Sequence, residues 1–156
     1  MRIIVTGATG FIGKNLLKHL KKKKHVILAI YRNKKPKNFL NGKKIIWFKF
    51  DISKFKTLPK KIIEFRPQVV CHLAWTGIPL FDVKNSIMNA NMSILFLKKL
   101  IKLKSCKKIL VSGSCFELYP KQNLNLFKKY SNFIWAKKNI RDYLFHESIK
   151  RKIKIA

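Results

Sequence analysis

The sequence is poor in acidic residues and cysteines, and it lacks a long apolar run. Apolar residues make up 47% of its 156 residues, yet no uninterrupted stretch approaches the length of about 20 residues that crosses a bilayer. The N-terminus leads directly into a strand pattern rather than a secretory signal. Three widely spaced cysteines, Cys71, Cys106 and Cys115, match no disulfide or zinc pattern, and we expect Cys71 in the core. These absences predict a cytoplasmic protein without a membrane span or a metal site.

The shortage of acids gives the chain a large positive charge. Six Asp and Glu stand against 36 Lys and Arg, so the formal net charge is +30. Such a chain attracts any polyanion, and nucleic acid is one candidate partner. However, the lysines are spread over every polar segment, and no aromatic-basic recognition motif accompanies them. A genome poor in G and C would also favour the codons of Lys, Ile, Phe and Asn. We therefore favour compositional drift over a nucleic-acid function, and we expect nonspecific, salt-sensitive binding to polyanions.

Three glycines near the N-terminus form the most informative motif. Residues 3–5 are β-branched and predict a buried strand, and Gly7, Gly10 and Gly13 then precede a helical pattern at residues 16–20. Glycine permits a tight turn and lets a diphosphate approach the backbone, at the positive end of the following helix. The spacing is G-x-x-G-x-x-G rather than the commoner G-x-G-x-x-G of dinucleotide-binding turns. The alternative is a tight strand-to-helix connection without a ligand.

Apolar strand patterns alternate with helical patterns along the rest of the chain. We predict strands at residues 25–31, 45–50, 67–74 and 108–111, helices at 60–65, 82–103 and 131–144, and the start of a sixth strand at 152–156. Pro36 and Asn41-Gly42 predict a loop. The alternation predicts an α/β fold, a Rossmann-like doubly wound parallel sheet, and no repeat or linker suggests a second domain.

The order of these motifs resembles the extended short-chain dehydrogenase/reductase family, the NAD-dependent epimerases and dehydratases of nucleotide sugars. The glycine turn opens the chain, residues 67–74 are similar to the family's P-D-V-V-x-H-L-A segment, and Ser114 and Lys137 follow in the family's order. The resemblance implies one NAD(P)-binding Rossmann domain at residues 1–156 and a nucleotide-sugar substrate. It covers only about the first half of a family protein, so we expect the substrate domain to be missing.

The resemblance also assigns cofactor-binding positions. They are Gly7, Gly10, Phe11, Ile12, Gly13, Arg32, Asp51, Ile52, Leu73, Ala74, Asn91 and Lys137. An acidic residue after the second strand holds the ribose 2′-hydroxyl of NAD, whereas arginine accommodates the 2′-phosphate of NADP. The segment 31–35 contains Arg32 and no acid, so we predict NADP rather than NAD. Alternatively, Arg32 is one cation among many, and Asp51 is a helix cap for residues 54–56.

The catalytic residues that the resemblance implies are Ser114 and Lys137. In the family, a tyrosine four residues before the lysine transfers a proton, and the lysine lowers its pKa. This chain has Phe133 at that position, and Tyr130 lies one turn earlier. We therefore predict impaired hydride transfer, with a non-catalytic dinucleotide-binding module or a polyanion-binding module as alternatives. His72 is expected to be a structural residue of its strand. The oligomeric state stays open, with a homodimer among the alternatives.

Overall fold

The computed structural model describes residues 1–36, 44–79, 81–117 and 124–156. The strands are β1 (Arg2–Thr6), β2 (Val26–Tyr31), β3 (Ile45–Lys49), β4 (Val69–His72), β5 (Lys108–Val111) and β6 (Lys154–Ile155). The helices are α1 (Phe11–Lys21), α2 (Lys60–Phe65), α3 (Val83–Ile101) and α4 (Leu124–Arg151), with a short 3₁₀ helix at Cys115–Glu117. The predicted Asn41-Gly42 turn lies outside the described residues.

All six strands run parallel in one sheet of order β3-β2-β1-β4-β5-β6. The order reverses between β1 and β4, which is the arrangement of a doubly wound Rossmann sheet, and the fold prediction is confirmed. In such sheets, ligands bind beyond the carboxyl ends of the strands at the reversal point.

Alternation along the strands builds a core on each face of the sheet. Ile3 and Val5 pack with Leu17 of α1 on one face. Ile4 points to the opposite face, where the buried side chains of α2, α3 and α4 include Ile62 and Phe96. Because both faces of a parallel sheet are covered, its strands are continuous apolar runs, and that is why they were readable in the sequence.

The larger differences from the sequence-based prediction concern α4, β4 and residues 54–56. Helix α4 extends well beyond residues 131–144 at both ends. Strand β4 is shorter than residues 67–74, because the N–H groups of Leu73 and Ala74 donate to Thr6 Oγ1 instead of continuing the ladder. Residues 54–56 are not helical, so Asp51 is not a helix cap there; its carboxylate accepts from Ser53 instead. In the described segments, no helix combines the length and apolarity that crossing a membrane requires.

Candidate cofactor site

The glycine turn joins β1 to α1 at the reversal point of the sheet. Gly7 has φ +63°, and a Cβ there would lie 2.8 Å from the carbonyl carbon and oxygen of Leu73. A Cβ on Gly13 would collide with the carbonyl oxygen of Gly7. These two glycines are therefore required by the packing of the turn. Gly10 is the N-cap of α1 with an ordinary φ of −74°, so its glycine is not required by the backbone angle.

A cavity of about 240 Å³ opens beside this turn, at the carboxyl ends of β1 to β4. We call it the cofactor pocket. It is lined by Thr6, Gly7, Thr9, Gly10, Ile30, Tyr31, Arg32, Asn33, Phe50, Asp51, Ile52, Ser53, Leu73, Ala74, Trp75, Thr76, Met88, Asn89, Met92 and Ser93. The fold thus brings together most of the predicted cofactor-binding positions, from four separate segments of the chain.

Two charged side chains mark the pocket end near β2 and β3. Arg32 is exposed and donates from Nη1 to Thr76 Oγ1 at 2.8 Å, which joins the end of β2 to the segment after β4. Burial alone would raise the pKa of Asp51, but hydrogen bonds from Ser53 and the charges of Arg32 and Lys54 hold that pKa below its usual value. Asp51 is therefore an ionised acceptor beside a guanidinium, and the two side chains can receive the hydroxyl groups and phosphate of a nucleotide.

A buried hydrogen-bond chain fixes the floor of the pocket. Thr6 Oγ1 lies 3.0 Å from His72 Nδ1 and also accepts from the N–H groups of Leu73 and Ala74. Since both lone pairs of the hydroxyl are used, its hydrogen donates to His72 Nδ1, and the ring proton lies on Nε2, which donates to Ser93 Oγ at 2.9 Å. Burial and the charge of Lys137 lower the pKa of His72 to about 3. The histidine is neutral and structural, as predicted.

The segment after β4 is held by a residue that the sequence did not single out. Asn89 of α3 accepts from the N–H of Thr76 and donates to the Thr76 carbonyl, at 2.9 and 2.8 Å. Asn91, the predicted asparagine, is exposed and is not among the pocket-lining residues. The physical reason is helical phase, because the inward side of α3 carries Ser86, Asn89 and Ser93. Asn89 also donates to the backbone carbonyl of Asn85, and since any residue at that position offers this carbonyl, the sequence carried no signal for the contact.

Lys137 lies outside the pocket and is almost fully buried, at 7% exposure. Its Nζ donates to the carbonyl of Ser112 at 2.7 Å and to Ser112 Oγ at 3.3 Å. The Trp75 ring covers the ammonium, with 4.1 Å between Nζ and the ring centroid. Burial lowers the pKa of Lys137 to about 8, against the opposing charge of Glu117. The lysine is thus a desolvated cation, of the kind that catalytic sites use.

Ser114 lies near the 3₁₀ helix that follows β5, and its contacts are local. Its N–H donates to Glu117 Oε1 at 2.7 Å, and its Oγ accepts from the N–H of Phe116 at 3.3 Å. Glu117 also pairs with Arg141 of α4 at 3.6 Å. Among the described residues, the hydrogen bonds of the Lys137 ammonium go to Ser112, two residues before the predicted serine.

Phe133 occupies the position one turn before Lys137 and is 6% exposed. Its ring packs edge-on against Trp75 and Phe81, at centroid distances of 5.2 and 4.9 Å. Tyr130 contacts the Phe81 and Phe116 rings at 5.0 and 4.6 Å. These five rings therefore form an aromatic cluster, and two of them, Trp75 and Phe133, lie beside the Lys137 ammonium.

The remaining predicted positions surround the pocket without lining it. Phe11 and Ile12 begin α1, and their side chains are 85% and 57% exposed. Gly13 packs against the carbonyl oxygen of Gly7, where a side chain would not fit. The described residues include no group of three His, Cys, Asp or Glu side chains that could hold a metal ion.

Comparison with known proteins identifies the family of the chain. The family model for the NAD dependent epimerase/dehydratase family matches residues 3–133. The chain is 30% identical over 119 residues to the dTDP-6-deoxy-L-talose 4-dehydrogenase (NAD(+)) of Aggregatibacter actinomycetemcomitans, covering 76% of this chain and 43% of the relative.

Solved structures share the fold. The UDP-glucose 4-epimerase of Thermotoga maritima, with UDP-glucose, superimposes with a TM-score of 0.74 at 22% identity, over 99% of this chain and 53% of the epimerase. The UDP-glucuronic acid 4-epimerase of Bacillus cereus, in complex with NAD, does so with a TM-score of 0.74 at 19% identity, over 99% and 55%. The chain thus spans about half the length of these relatives. Because the family model matches most of its residues, the chain belongs to the NAD dependent epimerase/dehydratase family.

Proposed function

We propose that the chain is the cofactor-binding half of an enzyme that acts on a nucleotide-activated sugar, with NAD(P) bound in the cofactor pocket. The observation that carries the proposal is the position of the pocket beside the glycine turn, at the reversal point of the sheet. The relatives named above are nucleotide-sugar enzymes, which supports the substrate class. The exposed free thiol of Cys115 fits a reducing compartment, and we place the protein in the cytoplasm.

Each part of the pocket has a role toward the cofactor under this proposal. The glycine turn and the N-terminus of α1 offer backbone N–H groups and a positive dipole end to the diphosphate. Ionised Asp51 accepts hydrogen bonds from hydroxyl or amino groups at the adenosine end. Arg32, at the same end, would pair with a 2′-phosphate, and no acid follows β2 to hold a free 2′-hydroxyl. We therefore propose NADP rather than NAD, although the matched dehydrogenase is an NAD(+) enzyme by name.

When bound, a nicotinamide cofactor exchanges a hydride with a sugar carbon. In this chain, Lys137 would hold the nicotinamide ribose, and the Ser114 hydroxyl would orient the reacting sugar oxygen. Phe133 has the ring of the family tyrosine without its hydroxyl, so it can neither give nor take a proton. This favours a second candidate function, a dinucleotide-binding module that retains the cofactor without efficient turnover.

Calorimetric titration with NADPH and with NADH tests the binding site. The titrations are repeated at raised salt, because a chain of charge +30 attracts phosphate weakly whatever its fold. We expect binding that survives raised salt and that Gly10→Val abolishes by placing a side chain in the diphosphate path. Asn15→Val, which introduces the same residue on the exposed side of α1, should leave the affinity unchanged. Equal affinity in wild type and Gly10→Val would overturn the site assignment.

The two candidate functions separate in a turnover assay that follows cofactor absorbance at 340 nm and the sugar product by chromatography, because an epimerase or dehydratase returns its hydride and leaves no net absorbance change. The assay offers UDP- and dTDP-linked sugars with the preferred cofactor to the wild type and to Phe133→Tyr. Turnover by either protein supports the enzyme. Retained cofactor affinity without turnover in both supports the non-catalytic module.

A further inference from the structure

Trp75 separates the cofactor pocket from Lys137. The residue follows the end of β4, and it lines the pocket together with Ala74 and Thr76. Lys137 and Ser114 are not among the lining residues. Trp75 therefore borders both the open pocket and, through its indole, the buried ammonium of Lys137.

On the side away from the pocket, the indole of Trp75 contacts Lys137 and Phe133. The Lys137 ammonium lies 4.1 Å from the ring centroid, within the range of a cation–π interaction. Phe133 packs edge-on against the indole, with an interplanar angle of 80°. Under this cover the ammonium is turned toward Ser112. A ligand in the pocket cannot reach the Lys137 amine while the indole stays in place.

The size of the pocket leads to the same conclusion. Pockets for drug-sized ligands usually measure about 300–1,000 Å³. The cofactor pocket measures about 240 Å³, which is below that range. The arginine and carboxylate at its β2–β3 end mark the place for the adenosine half, so the nicotinamide half must extend toward Trp75.

The backbone on both sides of Trp75 is held by hydrogen bonds. An opening movement is therefore a rotation of the Trp75 side chain. Asn89 holds both the N–H and the carbonyl of Thr76. On the other side, the N–H of Ala74 donates to Thr6 Oγ1. Trp75 itself is half-buried, and rotation of its indole needs no shift of these anchors.

We propose that Trp75 is a gate on the nicotinamide half of the site, whose indole must leave the Lys137 ammonium before a dinucleotide can bind along its whole length. The proposal rests on the function proposed above. In the closed position, the site accepts the adenosine half alone. In the open position, Lys137 exchanges its aromatic cover for the ribose hydroxyls of the cofactor.

The test compares a ligand that needs only the open pocket with one that needs the gate. Affinities for 2′,5′-ADP and for NADPH are measured by calorimetry in the wild type, in Trp75→Ala and in Trp135→Ala, which removes an indole that is 49% exposed on α4. A cation–π contact and an aromatic pair together correspond to roughly tenfold to hundredfold in a binding constant. We expect Trp75→Ala to bind NADPH tighter by such a factor and 2′,5′-ADP as the wild type does. Trp135→Ala should change neither affinity.

A fluorescence experiment gives a second readout that does not depend on Trp75→Ala. In a chain with Trp47→Phe and Trp135→Phe, Trp75 is the remaining tryptophan of the three. We expect NADP⁺, which unlike NADPH does not absorb at 340 nm where tryptophan emits, to change its emission maximum by moving the indole off the ammonium, and 2′,5′-ADP to leave it unchanged.

The outcomes separate the gate from the proposed function. Failure of both ligands to bind overturns the proposed function, and the gate with it. Binding of both ligands with the same affinity ratio in wild type and Trp75→Ala overturns the gate alone. An equal loss of both ligands in Trp75→Ala also overturns the gate, since Trp75 would then be an ordinary wall residue.

Discussion

Protonation of His72 should weaken the fold in mild acid, because its hydrogen-bond chain accepts one protonation state only. Thr6 Oγ1 uses both lone pairs for the Leu73 and Ala74 N–H groups and gives its hydrogen to His72 Nδ1. A second ring proton on Nδ1 would face a hydroxyl without a free lone pair. It would also place a positive charge in a fully buried site, where the charge of Lys137 repels it. The folded state therefore excludes this proton.

The size and sign of the effect follow from the two pKa values. The ordinary value is 6.5, and the folded value is about 3, so the unfolded chain binds the proton first. Stability is fully present above pH 6.5 and is lost as the pH falls toward 3. The loss is about 1.4 kcal/mol per pH unit below 6.5, which gives about 2 kcal/mol between pH 7 and pH 5. That is a large share of a stability of roughly 5–15 kcal/mol.

Urea unfolding followed by circular dichroism measures this loss. The free energy of unfolding is compared at pH 7 and pH 5, at constant ionic strength, for wild type, His72→Gln and His19→Gln. His72→Gln removes the titrating group, so its pH-dependent loss should be smaller than that of the wild type by about 2 kcal/mol. His19→Gln, at an exposed position on α1, should behave as wild type. The same loss in wild type and His72→Gln would refute the hydrogen-bond assignment.

Three further predictions concern charge. Arg32→Asp should shift the calorimetric preference from NADPH toward NADH, whereas equal loss of both would show that Arg32 does not read the 2′-phosphate. Lys137 has a pKa of about 8 when folded and 10.5 ordinarily, so wild-type stability should rise by about 3 kcal/mol as the pH passes from 8 to 10.5. Lys137→Met should lack this rise in urea unfolding, and an identical pH profile would contradict the burial argument. Binding to duplex DNA, followed by fluorescence anisotropy, should fall steeply with salt and persist in Gly10→Val. Loss of DNA binding in that variant would place the polyanion in the pocket instead.

Much of the fold was predictable because its signals are local. The buried strands are unbroken apolar runs. The seven residues from Gly7 to Gly13 contain the three glycines that mark the junction of β1 and α1. The order of elements then restricts a parallel sheet to few topologies. The pocket positions Arg32 and Asp51 were predictable for the same reason, since Arg32 directly follows β2 and Asp51 lies two residues after the end of β3.

The contacts around Lys137 and Phe133 were not predictable, because they join distant segments. Trp75 and Phe133 are 58 positions apart, and nothing local in either segment indicates that their rings meet. The choice between Asn89 and Asn91 depends on the phase of α3, which apolar periodicity fixes only to within a residue or two. The partner of the Lys137 ammonium, Ser112, depends on where the strand β5 ends relative to α4.

The absence of a tyrosine hydroxyl and the presence of the aromatic cluster belong together. A buried phenol needs a hydrogen-bond partner for its hydroxyl, which an environment of aromatic rings does not supply. Phe133 is 6% exposed and packs against Trp75 and Phe81, and a phenyl ring can occupy this place without such a partner. The same packing holds the indole over Lys137. Phe133 and the indole that covers Lys137 are therefore parts of one packed cluster, and Phe133→Tyr alone would place a hydroxyl among these rings without removing the indole.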